Sequence, residues 1–302
     1  MDRKQQIRTD LAVEARQLWQ ENAEGTTTLP GVRASEQTRG SFSVVTVEVL
    51  DERGEEALGK PAGKYITVEL DGLVRREENA FADAAGLLAE VLRGLLPPGD
   101  AGSLLVAGLG NRGITPDAIG PEAVDHVIVT RHLKEKLPED FAFFRPVSAV
   151  CSGVLGTTGI ESSDLVRAVA EEVRPTAVFA IDALASRGPE RLCRTVQIAD
   201  TGIVPGSGVG NARQALNRET LGVPVIAIGV PTVVDAATLT VDLAARAGAE
   251  LSPDSFGEVG GMIVTPRDID KNVRDIAKLI GYSLNLAFHD GLSIEDVDML
   301  LS

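Results

Sequence analysis

Two aspartates that follow apolar runs could carry acid–base chemistry. Asp117 comes shortly after the run 103–109, and Asp182 comes directly after the run 176–181. In a parallel sheet, ligands bind beyond the carboxyl ends of the strands, so both side chains should lie at one rim. Two carboxyl groups whose environments push their pKa values apart can act as base and acid around a shared water molecule. The arrangement therefore predicts amide hydrolysis that needs neither a metal ion nor a side-chain nucleophile.

The local sequence predicts different protonation states for the two acids. Thr115 fits a helix N-cap and Pro116 the first helical position, which places Asp117 in the first turn. The positive end of a helix favours the ionised form of that carboxyl group. Asp182 ends an apolar run, where desolvation favours the neutral form. The simpler interpretations are that Asp117 only complements a helix dipole and that Asp182 only caps the next helix.

The loops near the acids contain further candidates. Gly110 permits a tight turn with exposed N–H groups, and Asn111 follows it. Asp200 heads a glycine-rich loop over 202–210 that could contact a substrate or hold a phosphate. Asp200 also fits an ordinary turn residue, and a glycine-rich loop alone is weak evidence for a phosphate site. Gly110, Asn111 and Asp200 are therefore candidates for loop or substrate contacts.

Alternating apolar runs and helical segments predict the elements that position these residues. The strand candidates after residue 100 are 103–109, 147–151, 176–181, 195–199 and 224–230, and the helix candidates are 116–125, 162–173, 186–193, 235–248 and 268–288. This alternation is typical of an α/β fold with a largely parallel sheet and helices on both faces. Before it, a helix over 11–22, a paired hairpin (41–50 and 64–70) and a helix ending near Leu96 form an N-terminal appendage.

Composition and motifs exclude several classes of function. The chain has 302 residues with 29 Lys and Arg against 44 Asp and Glu, a net charge of −15. Such a balance argues against direct binding to nucleic acid or an anionic membrane and favours a basic partner. Cys151 and Cys193 form no CxxC motif and are interpreted as buried residues in a reducing cytoplasm. His126, His132 and His289 form no zinc motif, so we expect no metal or other cofactor.

No targeting or membrane segment is expected. The first residues, MDRKQQIRTD, lack the apolar stretch of a signal peptide, and no run of 18 apolar residues occurs. The sequence therefore predicts a cytoplasmic protein.

Several long motifs, in the same order along the chain, resemble the germination protease (spore protease) family of spore-forming Gram-positive bacteria. They cover most of the chain from residue 7 to 242 and resume near Met262. The segments are Ile7–Glu14, Gly108–Pro121, Val129–Leu133, Ala180–Arg187, Asp200–Asn211, Gly222–Asp235 and Met262–Pro266.

The resemblance implies an endopeptidase that degrades small acid-soluble spore proteins at germination. It further implies a homotetramer in the spore core, made as a zymogen that removes its own N-terminal segment. The two catalytic aspartates of the family match Asp117 and Asp182. Family substrates carry an acidic residue before the cut, an apolar one after it and then Ala. Cleavage is therefore expected between Asp10 and Leu11, with a pro-segment of residues 1–10 and a single peptidase domain of residues 11–302.

Ordinary helix initiation is the simpler interpretation of this junction, with Asp10 as N-cap and Leu11 as the first core residue. A protease site has to be extended and mobile to enter a cleft, and a chain terminus suits that requirement.

Two other functions remain possible from the sequence, and the chain differs from the family pattern in two places. The GxGN loop and paired acids also resemble, more remotely, the hydrogenase-maturation peptidases, which bind metal and would need a third ligand such as His126 or His132. The other alternative is a non-proteolytic protein that binds a small molecule through loop 202–210. The region 243–263 is shorter than in fuller family members, and Arg112 stands where an aromatic residue is expected.

Overall fold

A computed structural model describes residues 9–22, 29–98, 102–206, 214–249, 251 and 262–302. Most of the expected pro-segment (1–8), part of the glycine-rich loop (207–213) and most of the region 250–261 lie outside the described residues. The strands are β1 Val32–Arg39, β2 Phe42–Val49, β3 Gly63–Glu69, β4 Leu104–Leu109, β5 Val147–Gly153, β6 Ala177–Ser186, β7 Thr195–Ala199, β8 Val225–Asp235 and β9 Ile263–Val264. The helices are α1 Ala12–Asn22, α2 Glu52–Leu58, α3 Asp71–Val74, α4 Ala80–Leu95, α5 Ile119–Val124, α6 Arg131–Lys136, α7 Leu155–Thr158, α8 Ser162–Val173, α9 Arg218–Leu221, α10 Ala236–Arg246, α11 Ile269–Phe288 and α12 Ile294–Leu301.

One mixed sheet unites these strands. Its order is β1-β2-β3-β7-β8-β6-β4-β5, with β9 paired to β8. The neighbours β5, β4, β6 and β8 run parallel, whereas β7 is antiparallel to both β8 and β3. The parallel strands therefore share one carboxyl edge, and β7 ends at the opposite edge.

Alternating side chains of the parallel strands build a core on each face of the sheet. Val106 and Phe179 pack into a cluster with α4, α5 and α11. Ala107 and Val178 point the other way, into a cluster with Val166 of α8. Burial on both faces explains why these strands are continuously apolar in sequence. The sheet thereby forms a rigid support for whatever its carboxyl edge presents.

The expected α/β fold, with helices on both faces and an N-terminal hairpin and helix, is confirmed. The hairpin strands β2 and β3 pair antiparallel, and β3 joins the main sheet through β7. The helix expected over 186–193 is wrong: β6 continues to Ser186, and a single 3₁₀ turn, Pro189–Arg191, follows. Strand β1 and helices α2 and α12 are not among the predicted elements, although Asp51 and Ser293 are N-caps of the two helices.

None of the helices in the described ranges is long and apolar enough to cross a membrane.

Phe179 tests how much the fold depends on the central strand. Its ring is fully buried and meets Phe288 of α11 edge-on, with ring centroids 4.8 Å apart. Phe179→Ala should lower the free energy of unfolding by about 3–5 kcal/mol, because it leaves a cavity between sheet and helix. Phe143 is 94% exposed, so Phe143→Ala should change that free energy by no more than about 0.5 kcal/mol. Urea unfolding of both variants compares them, and equal losses would contradict this view of the core.

Candidate active site

Strand β6 extends past its neighbour β4 and so presents Asp182 at the rim. Pairing between the two strands ends at Gly108 and Ile181, whereas β6 stays paired with β8 as far as Ser186. Asp182 is therefore the first residue of β6 beyond its pairing with β4, inside a strand rather than before a helix. The expectation that Asp182 caps a helix is wrong. Its side chain remains buried, and its Oδ1 accepts the Ala183 N–H at 2.9 Å.

Asp117 comes from the loop that leaves β4. It ends a 3₁₀ turn, Thr115–Asp117, whose N-cap position is Ile114 and not Thr115 as the sequence predicted. The Asn111 N–H donates to Asp117 Oδ2 at 2.8 Å, and the Thr232 hydroxyl donates to the Pro116 carbonyl oxygen at 2.7 Å. The first hydrogen bond fixes Asp117 to the start of its own loop, and the second fixes the same part of the loop to β8.

Gly110 allows this loop to close. Its φ of +104° is a conformation that residues with a side chain rarely adopt. A Cβ at this position would lie 2.1 Å from the Asp117 carbonyl oxygen and 3.0 Å from its Oδ1. Any larger residue would therefore displace the Asp117 carboxyl group.

Both aspartates line one cleft of about 500 Å³. Among the described residues that line it, four are acidic and none is Lys, Arg or His; the acids are Asp10, Asp117, Glu161 and Asp182. Exposed apolar side chains form much of the remaining wall, namely Ile114, Leu155, Val204 and Ile263. The cleft therefore combines a carboxyl pair with apolar surface that could hold large side chains.

The two carboxyl groups differ in how tightly they hold a proton. Burial raises the pKa of Asp182 well above its ordinary value, and the charges of Asp117 and Asp10 raise it further. Burial also raises the pKa of Asp117, while the hydrogen bond from the Asn111 N–H lowers it. The pKa of Asp117 is therefore not lowered as expected for a helix end, because desolvation is the largest influence on it. Asp182 still has the stronger hold on a proton.

Comparison of the chain with known proteins identifies its family. The model of a family described as germination protease matches residues 12–245. The chain is 43% identical to the germination protease of Caldanaerobacter subterraneus subsp. tengcongensis, with 98% of each chain covered. It is 41% identical to that of Clostridium tetani, covering 98% of this chain and 99% of the relative. The chain belongs to the germination protease family.

Two further comparisons concern a longer member of the family and a solved structure. Its sequence is 38% identical to the germination protease of Bacillus licheniformis, over an alignment of 355 positions that covers 97% of this chain and 96% of the relative. That relative therefore carries residues that this chain lacks. A solved structure of the hydrogenase maturation protease HycI from Thermococcus kodakarensis matches 64% of this chain and 98% of that one, with a TM-score of 0.36 and 18% identity. Membership of the germination protease family makes the chain a peptidase.

The residues predicted as loop or substrate contacts lie in two places, some in the cleft and one at the opposite edge of the sheet. Gly110 and Asn111 line the cleft. Asp200 does not, because β7 runs antiparallel to β8 and ends at the other edge of the sheet. There its Oδ1 accepts the Lys64 N–H at 2.8 Å, which is the contact of a turn residue. The loop after Asp200 returns to the cleft, which Val204 lines.

The expected processing site is buried rather than mobile. Asp10 is 9% exposed, and Leu11 is fully buried among residues of β2 and β6. Helix α1 begins at Ala12, so Asp10 is not its N-cap. The Asp10 N–H donates to the Ala185 carbonyl oxygen at 2.9 Å, and the Ala185 N–H donates to Asp10 Oδ2 at the same distance. The junction is thus fixed against the strand that carries Asp182, and the expectation of a mobile segment here is wrong.

Two arginines in the family motifs have structural partners. Arg187 contacts Asp242 at 2.7 Å and Glu21 at 2.9 Å, which joins the end of β6 to α10 and α1. Arg112 pairs with Asp125 at 2.6 Å and so fastens the loop after β4 to the end of α5. Both arginines thus join neighbouring elements, and neither is among the residues that line the cleft.

The histidines considered as metal ligands lie elsewhere. His126 packs edge-on against Tyr282, with centroids 6.2 Å apart, and His132 is on α6. Over the described ranges, no group of three His, Cys, Asp or Glu side chains is arranged to hold a metal ion.

Sequence reasoning missed four residues that shape the site. Thr232 sits inside an apolar strand, and Ala185 acts only through its main chain, so neither shows a polar pattern. Lys60 and Gln197 contact the junction at Asp10 from distant positions in the sequence. A buried Gln inside the apolar run 195–199 was the one visible signal.

The raised pKa of Asp182 predicts a pH-dependent effect on stability. The folded state holds this proton more tightly than the unfolded chain, so the carboxyl group destabilises the fold once the pH exceeds its ordinary pKa of about 3.9. Asp182→Asn should therefore raise the free energy of unfolding at pH 7, and the gain should disappear below about pH 3.9, where the carboxyl is neutral in both states. Urea unfolding at both pH values measures this. Asp140→Asn, at an exposed position, should show no such gain, and a gain in Asp182→Asn that persists at pH 3 would contradict the assignment.

Proposed function

We propose that this chain is an endopeptidase of the aspartic type that degrades small acid-soluble spore proteins at germination. The observation that carries the proposal is a pair of carboxyl groups, buried Asp182 and half-buried Asp117, that line one cleft and hold a proton unequally. Family membership supports the peptidase activity. The resemblance of its motifs to the spore proteases supports the substrate, the spore-core location and a homotetrameric assembly.

In this mechanism Asp117 is the base and Asp182 the acid. The ionised Asp117 takes a proton from a water molecule, whose oxygen bonds to the carbonyl carbon of the peptide. The Asn111 N–H stabilises the ionised form of Asp117 before that step. Asp182 keeps its proton because it is buried, and gives it to the leaving nitrogen when the C–N bond breaks.

The cleft also supports a peptide substrate of the expected kind. Its apolar wall, with Ile114, Leu155 and Ile263 exposed, suits the large apolar residue that follows the cut in family substrates. Asp10 already occupies part of the cleft in this chain. A zymogen would therefore have to lose residues 1–10 before a second acidic residue could take that place.

Asparagine variants test the pair directly. Asp117→Asn and Asp182→Asn should each reduce cleavage of a small acid-soluble spore protein by at least about 10²-fold, because each removes one half of the acid–base pair. The rate is followed by gel electrophoresis, with and without chelator, and circular dichroism verifies the fold. Since the two groups titrate as a pair, wild-type activity should peak on the acid side of neutrality.

Asp200→Asn is the matched control. It makes the same chemical change outside the cleft and should leave the rate unchanged. Near-normal cleavage by either cleft variant would remove that residue from the mechanism. Loss of activity on adding the chelator would favour the metal-dependent alternative.

Self-processing between Asp10 and Leu11 gives a second test. After mild acidification, the intact mass of the wild-type chain should fall by the mass of residues 1–10 and leave a chain that begins at Leu11. The Asp182→Asn chain should keep Met1–Asp10 under the same conditions, because it lacks the acid. Purified protein is used so that no other protease is present. Loss of the segment from that variant would show that the pair does not perform the cleavage.

A further inference from the structure

Two side chains hold the carbonyl oxygen of the Asp10–Leu11 peptide bond. Lys60 Nζ donates to this oxygen at 3.0 Å, and Gln197 Nε2 donates to it at 3.2 Å. Gln197 Oε1 also accepts the Ala12 N–H at 2.8 Å, so a single amide group contacts the chain on both sides of the bond. Gln197 is buried on β7, which fixes its position.

Residues next to this bond line two different cavities. Asp10 lines the cleft that contains Asp117 and Asp182. Thr9 and Lys60 line a second cavity of about 460 Å³, which does not include either catalytic candidate. Lys60, which donates to the carbonyl oxygen, thus lines the second cavity, while Asp10 itself borders the cleft with the acid pair.

Donors in these positions suit the electronic change that hydrolysis requires. When water adds to a carbonyl carbon, negative charge develops on the carbonyl oxygen. A cationic and an amide donor already directed at that oxygen stabilise the charge without reorganising during the reaction. Because both contacts are made to the main chain, they do not depend on the side chain of residue 10.

We propose that Lys60 and Gln197 stabilise the oxyanion that forms on Asp10 during self-processing of the Asp10–Leu11 bond. This inference rests on the proposed self-processing. The water oxygen bonds to the Asp10 carbonyl carbon, its proton passes to Asp117, and the displaced electron pair resides on the oxygen held by Lys60 and Gln197. The carbonyl then re-forms, the bond to the Leu11 nitrogen breaks, and that nitrogen takes the proton of Asp182.

The test follows self-processing of the full-length chain by intact mass over time. Lys60→Met removes the charged donor, and Gln197→Glu removes the amide donor while keeping an acceptor for the Ala12 N–H. Each should slow the appearance of the chain that begins at Leu11 by about 10²–10³-fold. Lys60→Arg keeps a cationic donor and should recover part of the rate.

Lys64→Met is the matched control. Lys64 lies on β3, its side chain is about half exposed and its Nζ is 3.8 Å from Glu48, so this variant should be processed at the wild-type rate. Thermal melting verifies that every variant is folded. Processing of folded Lys60→Met and Gln197→Glu at or above the wild-type rate would overturn the inference, since the contacts would then be neutral or restraining. A wild-type chain that is never cut after Asp10 would instead refute the processing proposal, and this inference with it.

Discussion

Two carboxyl groups in one cleft, the buried one of Asp182 and the half-buried one of Asp117, constrain the rest of this structure. Each loses hydration, and the charge of either raises the cost of ionising the other. The fold has to hold them rigidly, because otherwise the loop would move away and expose Asp117 to solvent. Strand β6 fixes Asp182 within the sheet, and the absence of a Cβ at Gly110 lets the loop after β4 close on Asp117. The continuous apolar core on both faces of the sheet makes that support stiff.

The difference between the two acids arises from their immediate neighbours. The buried carboxyl group of Asp182 accepts the N–H of the next residue, Ala183, on a strand paired with β8. Asp117 accepts the Asn111 N–H at the loop and is less deeply placed. Burial acts on both, but it acts more strongly on Asp182. The two acids differ because Asp182 lies within β6 whereas Asp117 lies in the loop that follows β4.

The sequence predicted the main strands after residue 100 and most of the longer helices, because apolar periodicity survives in those elements. It also placed Asp117 and Asp182 near one rim, since both follow runs of buried residues. It could not show that β6 continues past Asp182, because Ala183–Ser186 resemble a helix start as much as a strand. Nor could it show that β7 runs antiparallel, which moves Asp200 to the far edge. Strand direction depends on which neighbours pair, and Lys60 and Gln197 reach Asp10 only through that pairing.

The N-terminal segment affects the charge distribution of the site as well as its packing. Asp10 is held to Ala185 on the strand of Asp182, and its charge is one of the influences that raise the pKa of Asp182. A chain without residue 10 loses that influence, so the pKa of Asp182 falls relative to the full-length chain. Burial and the neighbouring Asp117 remain, and they keep that pKa above its ordinary value. Removal of the segment would therefore change how the acid pair shares its proton while leaving its geometry on β6 and the β4 loop in place.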